Sequence, residues 1–433
     1  MEVREASAEY LVQAVPRVPK GYKQTEVGVI PEDWDVVPLG NSLRRSPNYG
    51  INAPAIPFDS RYPTYLRITD ITEDGRFAEA TKASVGHPAS SAYLLEPGDL
   101  VFARTGASVG KSYRYNPKDG RLVFAGFLIR ITPDTERLTP AFLSFFVQTR
   151  TYWNWVKVNS MRSGQPGING REYASLPIPL PPTKAEQEAI AEALSDADGL
   201  IESLEQLLVK KRQIKQGAMQ VLLTGKKRLP GFSEEWEVKR LGELFEITSS
   251  KRVFQSEWRS EGIPFYRARE LAVLGETGRV DNELFILEEL YETHRRAYGV
   301  PQVGDMLVTG VGTLGKVYVV TDNREFYFKD GNIIWFKIGG KMSAEFLRQL
   351  YLTEALIKQI AEGAAGTTVG TYTITAAKKT TIPYPPFSEQ TAIAAILSDM
   401  DGEIAMLEAK LAKARAIKQG MMQELLTGRI RLV

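Results

Sequence analysis

Cysteine is absent and histidine almost so. With no cysteine in the chain, disulfide scaffolds, thiolate zinc sites, iron–sulfur clusters and cysteine nucleophiles are excluded. His87 and His294 are the only imidazoles, too few for a histidine-built metal site, and any serine–histidine triad rests on one of the two. No run approaches the roughly 18 apolar residues that a membrane-spanning helix needs. The opening Met1-Glu-Val-Arg-Glu-Ala lacks the apolar core of a signal peptide. These absences predict a soluble, cytoplasmic protein without membrane association. Excess charge is missing as well. A net charge of +2 falls short of the strongly basic balance of small nucleic-acid-binding domains, so any basic surface must be local.

What is present suffices for packed cores. Of 433 residues, 43% are hydrophobic and 24% charged, a length that suggests two or three domains. Self-comparison is the informative step. Ile30-Pro-Glu-Asp-Trp-Asp-Val-Val-Pro-Leu-Gly40 returns as Phe232-Ser-Glu-Glu-Trp-Glu-Val-Lys-Arg-Leu-Gly242. Tyr65–Ile71 matches Phe265–Leu271 more weakly, and the turns Pro97-Gly-Asp and Val303-Gly-Asp correspond. Glu186 to Leu229 aligns with Glu389 to Leu432 at constant offset, with 28 of 44 positions identical. The ends of the two copies agree while their middles diverge, which fits one frame adapted to two different ligands. Drift after duplication is the plainer alternative.

Each copy has two textures. Residues 20–182 and 227–386 carry short β-branched and aromatic runs broken by Gly, Pro and Asn, and read as α+β globules. Helical stretches near Pro140–Val156 and Ala344–Ala361 interrupt them. Residues 183–226 and 387–433 carry a long helix each, with residues 1–19 as an N-terminal extension. Leu194, Ile201, Leu204 and Leu208, and then Leu397, Ile404, Leu407 and Leu411, recur at intervals of three and four residues. That spacing keeps one stripe against a partner helix, as in a coiled coil. Thr183 with Glu186 fits a capping box, and Gly225 and Gly428 fit left-handed helix ends. Gly199 and Gly402 weaken the helix middles by about 1 kcal/mol each relative to alanine. Acidic residues precede basic ones along both helices, which favours antiparallel pairing, although each helix also complements its own macrodipole this way. The fold expected is two tandem α+β domains separated by two long helices in an antiparallel coiled coil, a pseudo-twofold repeat.

Enzyme signatures fail. Gly106-Ala-Ser-Val-Gly-Lys-Ser112 is one residue short of a P-loop, and Gly310-Val-Gly-Thr-Leu-Gly-Lys316 has Val317 where the magnesium-binding hydroxyl belongs. Both read as glycine-rich turns between strands. Leu180-Pro-Pro182 and Tyr384-Pro-Pro-Phe387 lack the Asn or Asp of an amino-methyltransferase motif, and the prolines instead end a strand and launch a helix.

The chain resembles the specificity subunits of type I restriction–modification systems. The resemblance is carried by Gly21-Tyr-Lys-Gln-Thr-Glu-Val-Gly-Val-Ile-Pro-Glu-Asp-Trp34, the paired Gly-Asp turns, Pro181-Pro-Thr-Lys-Ala-Glu-Gln187, Ile214-Lys-Gln-Gly217 and Leu222-Leu-Thr-Gly225, with a second copy from Pro385 to Gly428. It implies two target-recognition domains, each reading half of a split, asymmetric site in double-stranded DNA. The helices would set the spacing and dock two modification subunits that methylate adenine with S-adenosylmethionine. Restriction subunits would cut unmodified DNA using ATP and magnesium. The chain itself would be non-catalytic, holding no cofactor and no metal.

Candidate DNA contacts are donors on loops beside glycines. In the first domain these are Arg104, Lys111, Arg162, Gln165, Asn169 and Arg171. The stretch Arg162-Ser-Gly-Gln-Pro-Gly-Ile-Asn-Gly-Arg171 fits a reading loop, since Gln and Asn suit adenine and Arg suits guanine. In the second domain they are Lys251, Arg252, Arg267, Arg269, Lys316 and Thr368. Lys111 and Lys316 recur in both copies, which suits phosphate positioning. For each single residue a solvated surface charge is the plain alternative. Two other classes compete: a coiled-coil interaction scaffold without DNA, and a self-contained methyltransferase or nuclease, against which the missing motifs argue.

Overall fold

The computed structural model describes residues 18–432, apart from 163, 282–283 and 366–369. Packing divides the chain across its repeat boundaries. One unit runs to Leu204 and takes up Lys410 onward, and the other is Glu205–Ala409. Each unit therefore joins one globule to the start of its own long helix and the end of the other.

The frame of the two units is the same. In the first, an antiparallel sheet runs Leu43–Tyr49, Leu128–Pro133, Leu100–Ala103, Ser112–Arg114. In the second the order repeats as Glu246–Thr248, Ile333–Lys337, Met306–Thr309, Val317–Val319. The Trp-containing entry segment ends in a strand that pairs with the one before the long helix: Asp35–Pro38 with Pro177–Leu180, and Glu237–Arg240 with Thr381–Tyr384. A parallel pair recurs too, Thr64–Leu66 with Leu122–Phe124 and Phe265–Tyr266 with Tyr327–Phe328. Each helical stretch resolves into two helices, Pro140–Phe146 with Arg150–Asn159 and Ala344–Leu350 with Glu354–Ala364. Thr149 and Thr353 cap the second helix of each pair, accepting from Tyr152 N and Leu356 N, as their side-chain oxygens satisfy otherwise free amides.

The middles differ as the sequence divergence leads one to expect, but by more than loop drift. The second unit has helices Ala268–Thr277 and Glu288–Tyr298, where the first has 3-10 turns and short strands. The strand-rich texture expected of residues 227–386 does not include these two helices. Gly275 inside the first lets it lie against strand backbone, since a Cβ there would sit 2.1 Å from the Val317 carbonyl.

The long helices are Lys184–Leu222 and Phe387–Leu425, unbroken at Gly199 and Gly402. They run antiparallel. Within the second unit Lys211 meets Glu403 (2.6 Å), Arg212 meets Glu408 (2.6 Å) and Lys215 meets Asp401 (2.5 Å), while in the first Lys418 meets Asp198 (2.7 Å). Acidic segments thus face basic ones. Ile201, Leu208, Leu407 and Leu411 are buried along the helices, with Leu204 and Ile404 half-buried. Leu194 and Leu397 also reach beyond the helix pair. Both are fully buried and join the globular cores, Leu194 with Trp34, Phe142 and Leu143, and Leu397 with Phe336, Phe346 and Leu347. Among the described residues no helix is long and apolar enough to cross a membrane.

Each core is completed by the end of the other copy's helix. Leu425 and Leu426 enter the first core beside Ile190, and Leu222 and Leu223 enter the second beside Ile393. Gly428 and Gly225 then turn the chain with φ of +69° each. Both lie against the entry tryptophan: a Cβ on Gly428 would be 2.5 Å from Pro31 and 3.1 Å from Trp34, and one on Gly225 would be 3.2 Å from Trp236.

An arginine seals each joint. Arg228 forks onto Glu389 (2.8 and 2.6 Å) and lies over Trp236, whose Nε1 donates to the same carboxylate at 2.9 Å. Arg431 grips Glu186 through Nε and Nη2, bonds Asp33 at 2.9 and 3.0 Å, and lies over Trp34. These carboxylates raise the Arg431 pKa further above its ordinary value, Glu186 first and Asp33 next. The expected capping box is therefore half made. Thr183 Oγ1 accepts from Glu186 N at 3.2 Å, but the Glu186 carboxylate is spent on Arg431. Both glutamates are buried, at 1% and 0% exposure, and a buried charge is tolerated only when paired. Arg431→Ala leaves Glu186 buried alone and is expected to cost about 3 kcal/mol, the lower end for breaking such a pair because the arginine is partly exposed. Arg431→Lys restores only part, since an ammonium cannot fork. Urea unfolding measures both, and an unchanged midpoint for the alanine variant contradicts the assignment.

Candidate nucleic-acid interface

Three loops meet beside the central sheet of each unit, held by the same two backbone bonds. In the first unit Arg104 N donates to the Phe127 carbonyl (3.1 Å), and Ile168 N donates to the Arg104 carbonyl (2.9 Å). In the second, Gly310 N donates to the Asn332 carbonyl (2.8 Å), and Tyr372 N to the Gly310 carbonyl (2.9 Å). The glycine-rich segments are turns between strands, as the failed P-loop match predicts. Gly110 N donates to the Ala103 carbonyl at 3.0 Å, and Gly315 N to the Thr309 carbonyl at 2.9 Å. Gly110 and Gly315 have φ of +91° and +74°, and a Cβ on them would be 2.7 Å from Val156 and 2.9 Å from Ile360. In the first unit buried tyrosines pin this turn: Tyr152 Oη donates to the Gly110 carbonyl at 2.6 Å and Tyr173 Oη to the Ala103 carbonyl at 2.8 Å. Burial pushes both hydroxyls above their ordinary pKa, so they stay protonated and donating.

The junction in the first unit gathers five of the six candidates. Pro166–Ile168 folds against Arg104–Gly106, with Gly106 N donating to the Pro166 carbonyl and Gly167 bridged to Thr105. Arg104 stacks over the Tyr49 ring at 4.8 Å, and the Tyr49 hydroxyl accepts from Gly170 N at 3.2 Å. Gln165 is exposed beside Gly106. Two candidates are committed to the loop itself. Asn169 caps helix Gly170–Ala174, its Oδ1 accepting from Arg171 N (2.9 Å) and Glu172 N (3.0 Å). That oxygen is the one a bidentate adenine contact needs, so Asn169 is better described as a shaper of the loop than as a reader. Arg162 pairs with Glu172, whose other oxygen accepts from Asn169 N at 2.8 Å. Arg171 is exposed, and its guanidinium has no partner among the described residues. Positive charge left unneutralised at this junction comes from Arg104 and Arg171.

Lys111, whose carbonyl accepts from Ala103 N at 2.8 Å, is paired with Glu73 at 2.5 Å. Its counterpart Lys316 pairs with Glu276. The recurrence noticed in the sequence is therefore a recurrence of a lysine–glutamate pair, which reduces the charge available to a phosphate.

The second unit shows the same division between committed and open cations. Arg267 forks onto Glu270 at 2.9 and 2.7 Å across the first turn of helix Ala268–Thr277. Arg67 does the same to Asp70 at 2.8 and 2.7 Å. The weak match between Tyr65–Ile71 and Phe265–Leu271 thus preserves a structural clamp, and Arg267 belongs to it. Arg252 bonds Asp330 at 3.3 Å. Lys251 is exposed over the Tyr298 ring at 4.8 Å, and Arg269 is exposed without a carboxylate partner among the described residues. Thr368 lies outside the described residues. His294 stacks on Tyr327 at 5.1 Å near this loop, with burial holding its pKa below the ordinary value. His87 Nδ1 accepts from Ala89 N at 3.1 Å, a turn cap.

The two turn tips themselves carry no charge. Phe127 is 58% exposed and Asn332 half-buried. Aligning Phe124–Leu128 with Phe328–Ile333, which contains one extra residue, pairs them.

Arg171→Ala is expected to weaken binding to duplexes carrying the first half-site about 5- to 100-fold, as for loss of one bidentate arginine–guanine contact, while discrimination in the second half stays intact. Competition between duplexes altered in one half or the other reads this out, and equal loss on every sequence would make it a phosphate contact.

Known proteins resemble this arrangement along nearly the whole chain. The family model described as Type I restriction modification DNA specificity domain matches twice, at residues 48–211 and 233–416. A putative type I restriction enzyme MjaX specificity subunit from Methanocaldococcus jannaschii is 26% identical over 95% of this chain and 97% of its own length. The MjaVIII specificity subunit of the same organism is 24% identical over 93% and 94%. The crystal structure of the type I restriction–modification S subunit from M. genitalium shares the fold, with a TM-score of 0.57 at 16% identity over 90% of this chain and 96% of that one.

Proposed function

This chain belongs to the family of type I restriction–modification DNA specificity subunits, and from that premise we propose that its two units read the two halves of one bipartite, asymmetric site in double-stranded DNA. One observation carries the reading. The same three-loop junction occurs in both units, with the same backbone bonds and different side chains upon it. A shared scaffold with Arg104, Phe127 and Arg171 in one copy, and Gly310, Asn332 and Lys251 in the other, suits two base sequences read in one geometry.

The long helices set the distance between the half-sites and dock two modification subunits. The docking is supported by apolar residues left open on both helices at equivalent positions, Ile214 at 47% and Ile417 at 51% exposure. The chain supplies recognition and the partners supply chemistry: adenine methylation with S-adenosylmethionine in the modification subunits, and ATP- and magnesium-dependent cleavage through the restriction subunits. Its setting is the cytoplasm, with the host DNA.

Co-expression with the cognate modification subunit, followed by sequencing of adenine methylation across host DNA, tests this. A single split motif with a fixed gap is expected. Methylation at an unsplit motif, or none despite a stable complex, contradicts it.

A further inference from the structure

We propose that Phe127 and Asn332, the equivalent turn tips of the two junctions, contact bases and each fix one position in its half-site. The inference rests on the DNA-recognition reading above. Equivalence follows from the backbone, since the carbonyl of each tip accepts the bond from Arg104 N or Gly310 N that builds the junction.

The first tip is held out rigidly. Gly126 N donates to the Ile51 carbonyl (2.8 Å), Leu128 N to the Ala125 carbonyl (2.8 Å), and Gly50 N to the Leu128 carbonyl (3.1 Å). There is no slack beneath it, because a Cβ on Gly50 would lie 2.2 Å from the Ala125 carbonyl. Phe127 is thus kept 58% exposed, next in the bonding chain to Arg104, which itself stacks on Tyr49. A phenyl ring offers nothing to a phosphate. Placed among cations that do, it addresses a thymine methyl or the face of a base step.

The second tip carries the opposite chemistry. Ser250 Oγ donates to the Phe328 carbonyl (2.6 Å) and Ser249 Oγ to the Ile333 carbonyl (2.7 Å), fixing both flanks of the turn. The Asn332 amide has no partner among the described residues. Its oxygen and nitrogen are the pair that a bidentate contact to adenine uses. In Asn169 the oxygen already accepts two amides.

The test uses the complex of this chain with its modification subunit on a library of duplexes with randomised positions, reading adenine methylation. Phe127→Ala is expected to relax one position in one half only, and Asn332→Ala one position in the other, each by about 5-fold or more in base preference. Asn332→Asp is expected to move that position towards cytosine, whose amino group an acceptor takes. Circular dichroism checks that the variants are folded. Unchanged half-site preferences in both alanine variants, or uniformly slower methylation at an unchanged motif, overturn the proposal while leaving the recognition reading intact. A wild-type complex without a two-part motif brings down that reading instead.

Discussion

A buried carboxylate at the first turn of each long helix, answered by an arginine from the far end of the other copy's helix, is the constraint on which the architecture depends. Isolated, such a carboxylate costs several kcal/mol to remove from water. Arg228 reaches Glu389 across 161 residues of sequence and Arg431 reaches Glu186 across 245, so neither unit is complete until both copies of the repeat are present. The clamp comes with a fixed set of companions: a tryptophan under the guanidinium, a left-handed glycine against the indole, and two leucines in the adjoining core. Each member explains why another is there. The glycine turns the chain tightly enough for the arginine to come back over the ring, and the leucines fasten the helix end that carries both.

The tolerance for different ligands follows from where this constraint acts. The clamps and the paired helices occupy the repeated ends of each copy, where their residues recur, and the central sheets between them repeat in strand order. The junction loops are held by backbone bonds, which any side chain permits. Arg104 and Gly310, or Phe127 and Asn332, can therefore differ completely while the loops keep their places. The middle of the second copy could even acquire two helices without disturbing the parallel strand pair beside them.

Much of this was legible in the sequence. The duplication, the long helices, their antiparallel charge pattern and the glycine turns follow from local pattern and offset, which the chain carries openly. The partners of individual charges were not legible, because a carboxylate's mate is chosen by tertiary proximity. Arg267, Lys111 and Lys316 looked available and are instead held by Glu270, Glu73 and Glu276. Asn169 looked like a reader and is a helix cap. The uncharged tips leave only a faint trace in the sequence, an alignment broken by one inserted residue. Leu194 and Leu397 keep the helix phase and also enter the globular cores, a second role that periodicity alone does not show.

Hydrogen exchange on the chain ending at Gly428, which lacks residues 429–433 and with them Arg431, shows whether the arginine clamp completes its unit. Faster exchange is expected around Trp34 and at residues 184–194, with protection around Trp236 and residues 387–397 retained. Unaltered exchange in both regions, or equal loss in the two, would contradict the clamp's role.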